Sequence, residues 1–583
     1  MALADRNLLP HPRPASQGNR ALLVLVDSGG SYTDRAILDS TVLVALRHLG
    51  LPHRLHDLAR ERLTRERLAD SAGVVIAQGR LTAALSAEEA GWLAAAVVED
   101  GLGLVNFDGG DLAHYPPPLL ALLGLQVEPL PAASDQLLIQ RNDHFITWTL
   151  KPGNNVRLRR PVTLSPITRY RRGVVELVQA GLGKDQLIFS RHNVPRTAYE
   201  PGQLPAVLAA ACGQGRVVQF AFSPRLWHAD FLGHGLGLDA LFWRAIVWAA
   251  RKPFAAALMP PYVTLRVDDA LGRHDFRYAE VLNQHGYHPL ISCFIEQVPP
   301  DLAPWMRARW EAGQVDWDAH ALDYYRLIPF NFGVGEYGQA ELGAIFGQVD
   351  RWYELGGFRP PKTAYFHWGE IGLRALPYLK ARGRTFVYCP YHLGQVKWDR
   401  LAPGWWPYGL NSLFYDYYPD DPEIYNLGGS LPRNIMEPDV FTGCTVWAGD
   451  NSVNDMAKAA QRAGLAIRLA LDSGFFAEVT THEQKLGVLT LEEIDRWLRL
   501  LEAEVGRYAL RLVGHEQAAD YTKARDESWI TSANCADGHS LAVSFDGCAA
   551  VPLELAIFEY DGDAVGLRWQ SIPAFSQPCS ITV

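Results

Sequence analysis

The stretch YVTLRVDDALGRHD, residues 262–275, joins a run of strand-forming residues to two adjacent carboxylates. The residues from Tyr262 to Val267 are mostly β-branched, aromatic or aliphatic, which predicts a buried strand. Asp268 and Asp269 end that strand, and a helical pattern follows. Neighbouring side chains on a strand point to opposite faces, but at a strand end the backbone turns and both can face one pocket.

A carboxylate pair at the C-terminal end of a strand suits metal-assisted hydrolysis. One carboxylate can hold the ion while the other takes a proton from a water that the ion activates. The same dipeptide can instead form a hydrogen-bonded turn that caps the next helix. The dipeptide alone leaves both interpretations open.

The order of strand, Asp-Asp pair, helix and a further strand, HGYHPLISCFI at 285–295, resembles the opening of polysaccharide deacetylase domains of the NodB type, which are carbohydrate esterase family 4-like. The resemblance covers about residues 253–510. It implies an irregular (β/α) barrel with a divalent metal, usually zinc. It also implies that Asp268 is the base and Asp269 a metal ligand.

The family's next motif has two metal-binding histidines four residues apart, and the segment VDWDAHALDYYRL at 315–327 departs from it. His320 stands at the position of the first histidine, but Tyr324 stands at that of the other. Because tyrosine is a poor zinc ligand and aspartate a good one, we expect Asp323, or Asp318 before His320, to complete the set. A domain that has lost its metal is the alternative.

Two more histidines lie at predicted strand ends. His367 follows a segment, 359–361, that looks like the family's Arg-Pro-Pro segment, and we expect it to line the substrate groove or bind the oxyanion. Packing beside Trp368 is an equally open interpretation. His482, in the segment 480–483, resembles the histidine of the family's last motif, which protonates the leaving amine. A capped turn is the alternative there.

Aromatic residues are dense between residues 305 and 447. Flat rings stack on the apolar faces of sugar rings, and their polar edges bind hydroxyl groups. Packing within long loops is the alternative interpretation. We expect carbohydrate to bind through Trp368, Trp405, Trp406, Tyr408 and Tyr324.

The flanking parts of the chain predict further domains. Residues 1–19 predict a disordered tail. Residues 20–252 alternate apolar strands with helices, which predicts an α/β domain that resembles flavodoxin-like or glutamine-amidotransferase-like domains and carries a β-rich insertion at 125–200. An amidotransferase nucleophile is missing, because Cys212 is the only cysteine in that domain and does not follow a sharp strand-to-helix turn. Short alternating strands predict a β-sandwich at 511–583.

The composition argues against several classes of protein. The 583 residues hold 54 Lys plus Arg and 64 Asp plus Glu, a net charge of −10, so no basic excess favours nucleic acid. No apolar run reaches the roughly 18 residues of a membrane-spanning helix. The seven scattered cysteines and the absence of an apolar signal core favour a reduced, cytoplasmic protein. An extracellular protein whose leader was removed is the alternative.

Together these features predict an α/β multidomain enzyme that uses zinc to hydrolyse N-acetyl, or O-acetyl, groups of an amino sugar or polysaccharide. One alternative is a catalytically silent carbohydrate-binding or scaffold protein on the same fold. Another is a glycoside hydrolase in which Asp268 or Asp269 works with Glu370 or Glu483 across the pocket.

Overall fold

The computed structural model describes residues 18–181, 203–228, 230–331, 335–369, 371–388, 416–418, 421–427, 440–441, 453–561 and 564–583. These residues belong to two compact units. The first unit contains the described residues of Met1–Leu258, Ser528–Cys548 and Pro552–Val583. The second unit contains those of Met259–Glu527 and Ala549–Val551. The α/β fold class that the sequence predicts is confirmed in both.

The first unit is built around a mixed sheet of nine strands within the described residues. Its parallel strands have the spatial order 2-1-3-4-5 along the chain, which is that of flavodoxin-like doubly wound sheets. The inner strands are apolar runs, because a parallel strand is buried on both faces. In spatial order the parallel strands are His53–Asp57, Leu22–Val26, Gly73–Ile76, Gly103–Asn106 and Gly215–Phe220.

The described part of the predicted insertion, 125–181, extends this sheet on its antiparallel side. A small additional ladder pairs Gln126–Val127 with Ile167–Arg169. Residues 182–202 lie outside the described part of the chain. The antiparallel strands, in spatial order, are Gln203–Cys212, Val175–Gly181, Ala132–Ile139 and Asn155–Leu164.

The helices of the first unit follow local capping rules. The helix Ala87–Asp100, for example, begins with a capping box between Ser86 and Glu89 and ends at Gly101, whose φ is 73°. A π-helical turn, Asp39–Leu43, joins the first two helices. The α-helices described in this unit are Tyr32–Leu38, Val44–His48, Arg65–Ala69, Ala87–Asp100, Pro117–Ala121 and Asp239–Ala249, and the 3-10 turns are Leu81–Ala84, Leu112–His114, Phe145–Thr147 and Pro224–Trp227.

The segment after residue 511, where the sequence predicts strands, opens with the helix His515–Asp526 of the second unit. Strands follow and pair with the first unit in two sheets, one beginning with Gly18–Asn19 and the other with Phe254–Ala256. The β-sandwich at 511–583 therefore stays a prediction, while the pairing explains why these strands group with the first unit. They are Ser528–Cys535, Leu541–Gly547, Leu553–Asp561, Ala564–Ile572 and Cys579–Thr582.

The second unit contains the strand that carries the two adjacent aspartates. This central strand, Tyr262–Ala270, has all nine residues buried and lies in a parallel sheet, as expected for a strand covered on both faces. In spatial order its neighbours are Asp316–Ala321 and Pro289–Phe294 on one side and Ala477–His482 on the other, with Arg511–Leu512 also paired to it. Parallel pairing brings the C-terminal ends of these strands to one edge.

A further sheet of the second unit is formed by short strands, and helices connect the rest. The predicted helix after Thr490 is confirmed: Thr490 and Glu493 form a capping box at the start of Leu491–Val505. The short strands are Thr363–Ala364, Phe386–Val387, Asp421–Asn426 and Asp416–Tyr418, with a hairpin of Phe330–Asn331 and Gly335–Glu336. The α-helices described are Tyr278–Gln284, Ala303–Glu311, Gln339–Gly356, Leu376–Lys380, Val453–Asp472, Glu483–Leu486, Leu491–Val505 and His515–Asp526, and the 3-10 turns are Arg273–Phe276, Pro300–Leu302 and His367–Gly369.

Closure of the second unit into an irregular (β/α) barrel stays a prediction.

Among the described residues, no helix has the length and apolar content that crossing a bilayer requires.

Asp108, after the strand Gly103–Asn106, is a buried carboxylate that makes the first unit sensitive to pH. Its Oδ2 accepts a hydrogen bond from the backbone N–H of Arg80 at 2.9 Å. Burial raises the pKa of Asp108 to about 7, compared with about 4 in an unfolded chain. The folded state therefore holds a proton that the unfolded state releases between these values, so the free energy of unfolding falls as pH rises from about 4 to 7.

We predict that Asp108→Asn weakens this pH dependence, because an amide is neutral throughout and still accepts the Arg80 hydrogen bond. The variant should unfold at a higher urea concentration than the wild type at pH 8 and near the same concentration at pH 4. Urea titrations at both pH values check this, with the exposed Asp230→Asn as the matched control. Equal pH dependence in the wild type and Asp108→Asn would contradict the prediction.

Candidate metal centre

A β-bulge at the end of the central strand separates the roles of Asp268 and Asp269. Between Val267 and Ala270 the central strand advances by three residues while the neighbouring strand advances by two. Asp269 has a φ of 54°, a left-handed conformation that costs a non-glycine residue about 1 kcal/mol or more. Bulges redirect side chains beside functional sites. Here the bulge brings the two adjacent carboxylates to the same site, where they meet different partners.

Glu483 anchors the loop that follows the bulge. Its buried carboxylate accepts hydrogen bonds from the backbone N–H groups of Leu271 and Gly272 and from the Tyr278 hydroxyl. These three donors occupy the carboxylate of Glu483, which we considered from the sequence as the acid of a glycosidase. Glu483 therefore has a structural role, and its position at the start of a helix next to the central strand explains it.

Asp269, His320 and His367 form a buried group of potential metal ligands. Oδ1 of Asp269 lies 3.3 Å from Nε2 of His320 and 3.0 Å from Nδ1 of His367. The two ring nitrogens lie 3.2 Å apart. Asp269 and His320 come from the C-terminal ends of two strands of the same parallel sheet, and His367 comes from the 3-10 turn after the strand Thr363–Ala364 of the further sheet.

The size and chemistry of this triangle fit a zinc ion. Ligand atoms on a tetrahedral zinc ion with bonds of about 2.0 Å lie about 3.3 Å apart, close to the three observed separations. Nδ1 of His320 lies 2.7 Å from the carbonyl oxygen of Tyr365. A carbonyl only accepts, so Nδ1 carries the proton and the lone pair of Nε2 faces the two remaining ligands.

The electrostatics of the group keep Asp269 charged. Burial alone would raise the pKa of Asp269, but hydrogen bonds to His320 and His367 lower it far below its ordinary value. Burial also opposes charge on His320, yet Asp268 and Asp269 together raise its pKa. The pKa of His367 is lowered, mainly by burial and also by His320. The anionic Asp269 and the neutral His367 already have the protonation states that a metal requires of its ligands, whereas the raised pKa of His320 means that metal binding there would release a proton.

Asp318, which the sequence offered as an alternative ligand, lies outside this group and supports it. Its carboxylate is fully buried, pairs with Arg384 and accepts hydrogen bonds from the Tyr353 hydroxyl and the backbone N–H of Tyr365. By holding the Tyr365 backbone it places the carbonyl group that orients His320. The role of Asp318 is therefore to position the histidine.

Asp323, the residue expected to complete the ligand set, does not join the group. Its carboxylate accepts hydrogen bonds from the backbone N–H groups of Tyr325 and Arg326 and pairs with the Arg326 guanidinium at 2.7 Å. These contacts lower the pKa of Asp323 against the effect of its burial. The residue forms a local turn, and His367 stands where a further ligand was expected.

Asp268 lies beside the group but has another partner. Its Oδ2 is 2.5 Å from Nη1 of Arg266, and both side chains are buried. Its Oδ1 is buried with no hydrogen-bond partner among the described residues. A carboxylate fixed through one oxygen, with the second oxygen unused, has the form expected of a general base.

His482 and Gln484 lie next to Asp269. Nε2 of His482 is 3.9 Å from Oδ2 of Asp269, and Nε2 of Gln484 donates a hydrogen bond to the same oxygen at 3.0 Å. Gln484 therefore holds the oxygen that does not face the two histidines. The side chain of His482 is 29% exposed, which leaves it accessible from solvent.

Aromatic rings lead outward from His367. The ring of Tyr324 lies 5.5 Å from that of His367 and 5.1 Å from that of Tyr325, and both tyrosines are exposed. The ring of Phe294 packs against the rings of His320, His367 and Tyr324. Several of the aromatic residues expected to bind sugar lie outside the described residues or have undescribed side chains: Trp368, Trp405, Trp406 and Tyr408.

Sequence reasoning missed three features of this site. His367 was placed at a strand end but expected to contact substrate, because the family pattern puts both histidines in one segment. Arg266 could have been found from its spacing, since residues two apart on a strand share a face. Gln484 carries no recognisable signal, because only the fold brings it to Asp269.

We predict that the purified protein binds about one zinc ion per chain and that His367→Ala and His320→Ala each abolish this binding. Removing one imidazole from a set of three protein ligands removes a large share of the binding energy. Asp323→Asn, the matched control from the same segment, should keep its zinc. Elemental analysis of dialysed protein checks this. Zinc loss from Asp323→Asn with retention in His367→Ala would reverse the assignment.

Comparison with known proteins gives structural neighbours but no relatives in sequence. No known protein family and no curated protein matches the chain. A family 4 carbohydrate esterase from Streptomyces lividans is 15% identical, with 43% of this chain and 91% of that chain covered and a TM-score of 0.25. The peptidoglycan deacetylase PdaC from Bacillus subtilis is 11% identical, with 46% and 94% covered and a TM-score of 0.25. Deacetylases are thus among the solved structures that this chain resembles.

Proposed function

We propose that the second unit is a metal-dependent deacetylase that hydrolyses N-acetyl groups of an amino sugar or polysaccharide. The observation that carries this proposal is the triangle of Asp269, His320 and His367 beside Oδ1 of Asp268, which has no hydrogen-bond partner among the described residues. Three ligand side chains and a separate base are the parts that hydrolysis of an acyl bond by a metal needs.

Asp269, His320 and His367 would hold the metal. A divalent ion such as zinc, bound there, supplies a Lewis acid that lowers the pKa of water and polarises the acetyl carbonyl group. Gln484 and Tyr365 keep the ligands in place, through Oδ2 of Asp269 and Nδ1 of His320 respectively. The donor set of one carboxylate and two imidazoles suits zinc.

Asp268 is proposed as the general base. Its free Oδ1 accepts the proton of the attacking water, while Arg266 holds Oδ2. Arg266 remains charged throughout, because neighbouring Asp268 and Glu478 raise its pKa against the effect of burial. The guanidinium therefore fixes the base without competing for the proton.

His482 is proposed as the general acid. It lies across Oδ2 of Asp269 from the two histidines, and its partial exposure allows a substrate to reach it. A protonated imidazole there donates its proton to the nitrogen that leaves the acetyl group. Base and acid thus come from the ends of adjacent parallel strands, which pair Asp268 with His482 directly.

The exposed rings support a carbohydrate substrate. Tyr324 and Tyr325 offer ring faces next to His367, and an apolar sugar face can stack on them. An O-acetyl group meets the same chemistry. A silent binding protein has less support, because His367 supplies the histidine that the segment after His320 lacks. A glycoside hydrolase that uses Glu483 has less support as well, because Glu483 is occupied as a loop anchor. The other acid considered for that reaction, Glu370, lies outside the described residues.

We predict that the zinc-loaded protein releases acetate from N-acetylated chito-oligosaccharides and that Asp268→Asn loses about 100-fold or more in turnover while it keeps zinc. An amide at that position cannot take the proton. Asp316→Asn, at the opposite end of a strand of the same sheet, is the matched control. An enzymatic acetate assay measures turnover, and mass spectrometry tests the oligosaccharide length.

Two results would contradict this proposal. Near-normal acetate release by Asp268→Asn would place the base elsewhere. Shortened oligosaccharides with all acetyl groups retained would identify a glycoside hydrolase instead.

We predict that His482→Ala also lowers turnover about 100-fold or more, with zinc content unchanged, because His482 donates a proton from outside the ligand triangle. His320→Ala should instead lose zinc and activity together. Zinc content and acetate release, measured on the same preparations, separate the two roles. Loss of zinc from His482→Ala would make His482 a ligand and leave the acid to be found.

A further inference from the structure

Arg266, which holds the proposed base, is itself held from the opposite side by Glu478. Nη1 of Arg266 contacts Asp268, while Nη2 lies 3.4 Å from Oε1 of Glu478. The side chains of Arg266, Asp268 and Glu478 are 11%, 8% and 7% exposed. One cation is therefore shared by two anions that are almost fully buried.

The face of the Arg266 guanidinium is also covered. Its central carbon lies 4.0 Å from the ring centroid of Tyr365, and Tyr388 stacks on the far side of that ring at 3.7 Å. Stacking and the two ion pairs together hold the guanidinium of Arg266 in place. Because Arg266 orients Asp268, holding the guanidinium also holds the carboxylate of the proposed base.

Glu478 has its own set of partners. Oε1 accepts a hydrogen bond from the Thr480 hydroxyl at 3.1 Å, and Oε2 accepts one from the Tyr365 hydroxyl and lies 3.3 Å from Nε2 of His515. Burial alone would raise the pKa of Glu478, but Arg266 and His515 lower it far below its ordinary value. Glu478 is thus a fixed anion behind Arg266.

We propose that Glu478 is a positioning residue for the base: it holds Arg266 so that Oδ1 of Asp268 faces the reacting water. This inference rests on the proposed function of the site. A purely structural Glu478 would stabilise the fold without acting through Asp268. The two roles differ in what happens once Asp268 has been removed.

The test compares Glu478→Gln, Asp268→Asn and the double variant as zinc-loaded proteins, with N-acetylated chito-oligosaccharide as the probe. Gln keeps the size, and its amide oxygen can still accept the hydrogen bond from Thr480 while its NH2 group donates to the Tyr365 hydroxyl, but the charge that holds Arg266 is removed. We expect kcat to fall about tenfold or more, with KM, zinc content and the thermal midpoint unchanged. In the Asp268→Asn background the same change should alter kcat less than about twofold.

Arg266→Lys provides a second variant in case Glu478→Gln folds poorly. Lysine keeps the charge but cannot contact Asp268 and Glu478 with one planar group, so the same loss of kcat is expected. Glu502→Gln, which changes a surface carboxylate paired with His285, is the matched control. A fall in thermal midpoint or zinc content that accounts for the lost turnover, or equal losses with and without Asp268, would overturn the proposal.

A crystal structure of Glu478→Gln separates this inference from the proposed function. We expect the Asp268 carboxylate to move by more than about 0.5 Å, the tolerance within which catalytic groups must be held. This structural result can be obtained whether or not the protein releases acetate. If the wild type releases no acetate, the proposed function fails, while an unmoved Asp268 in the variant would refute the positioning role whatever the activity.

Discussion

The extra residue in the central strand is the constraint on which the rest of the site depends. Two adjacent aspartates on a regular strand point to opposite faces, so a regular strand could offer only one of them to the site. The bulge and the positive φ of Asp269 change this and turn the second carboxylate toward the histidines. Glu483 pins the following loop, so the strained conformation is maintained by hydrogen bonds from backbone groups.

The three buried aspartates of the site then have different cationic or imidazole partners. Asp268 pairs with Arg266, Asp269 with His320 and His367, and Asp318 with Arg384. A buried charge without a partner costs several kcal/mol, so this separation is a requirement for folding as well as for chemistry. The separation also keeps the proposed roles apart, because the proposed base Asp268, the proposed ligand Asp269 and the supporting Asp318 do not share a partner.

The support extends well beyond the residues that would touch substrate. Tyr365 shows this most clearly, since its carbonyl group orients His320, its ring covers Arg266 and its hydroxyl contacts Glu478. A single residue therefore links the proposed metal ligands to the proposed base. Its own backbone N–H is held by Asp318, which has no contact with the reacting groups. The precision of the site comes from these outer contacts.

The sequence by itself determined the strand ends and the residue types that stand there. Asp268 and Asp269 after a buried run, His320 on the next predicted unit and His367 and His482 at later strand ends were all visible, because strand and helix patterns are local. The buried parallel strands of the first unit were visible for the same reason. The tertiary structure alone decided which of these residues meet. Linear spacing predicted that Asp323 would join the group, but Asp323 instead forms a local turn and pairs with Arg326. His367, which lies 47 residues after His320 in the chain, joins the group in its place. Parallel strands bring residues that are distant in the chain to one edge of a sheet. The register that aligns these strands depends on packing between distant segments, which a local sequence pattern does not contain.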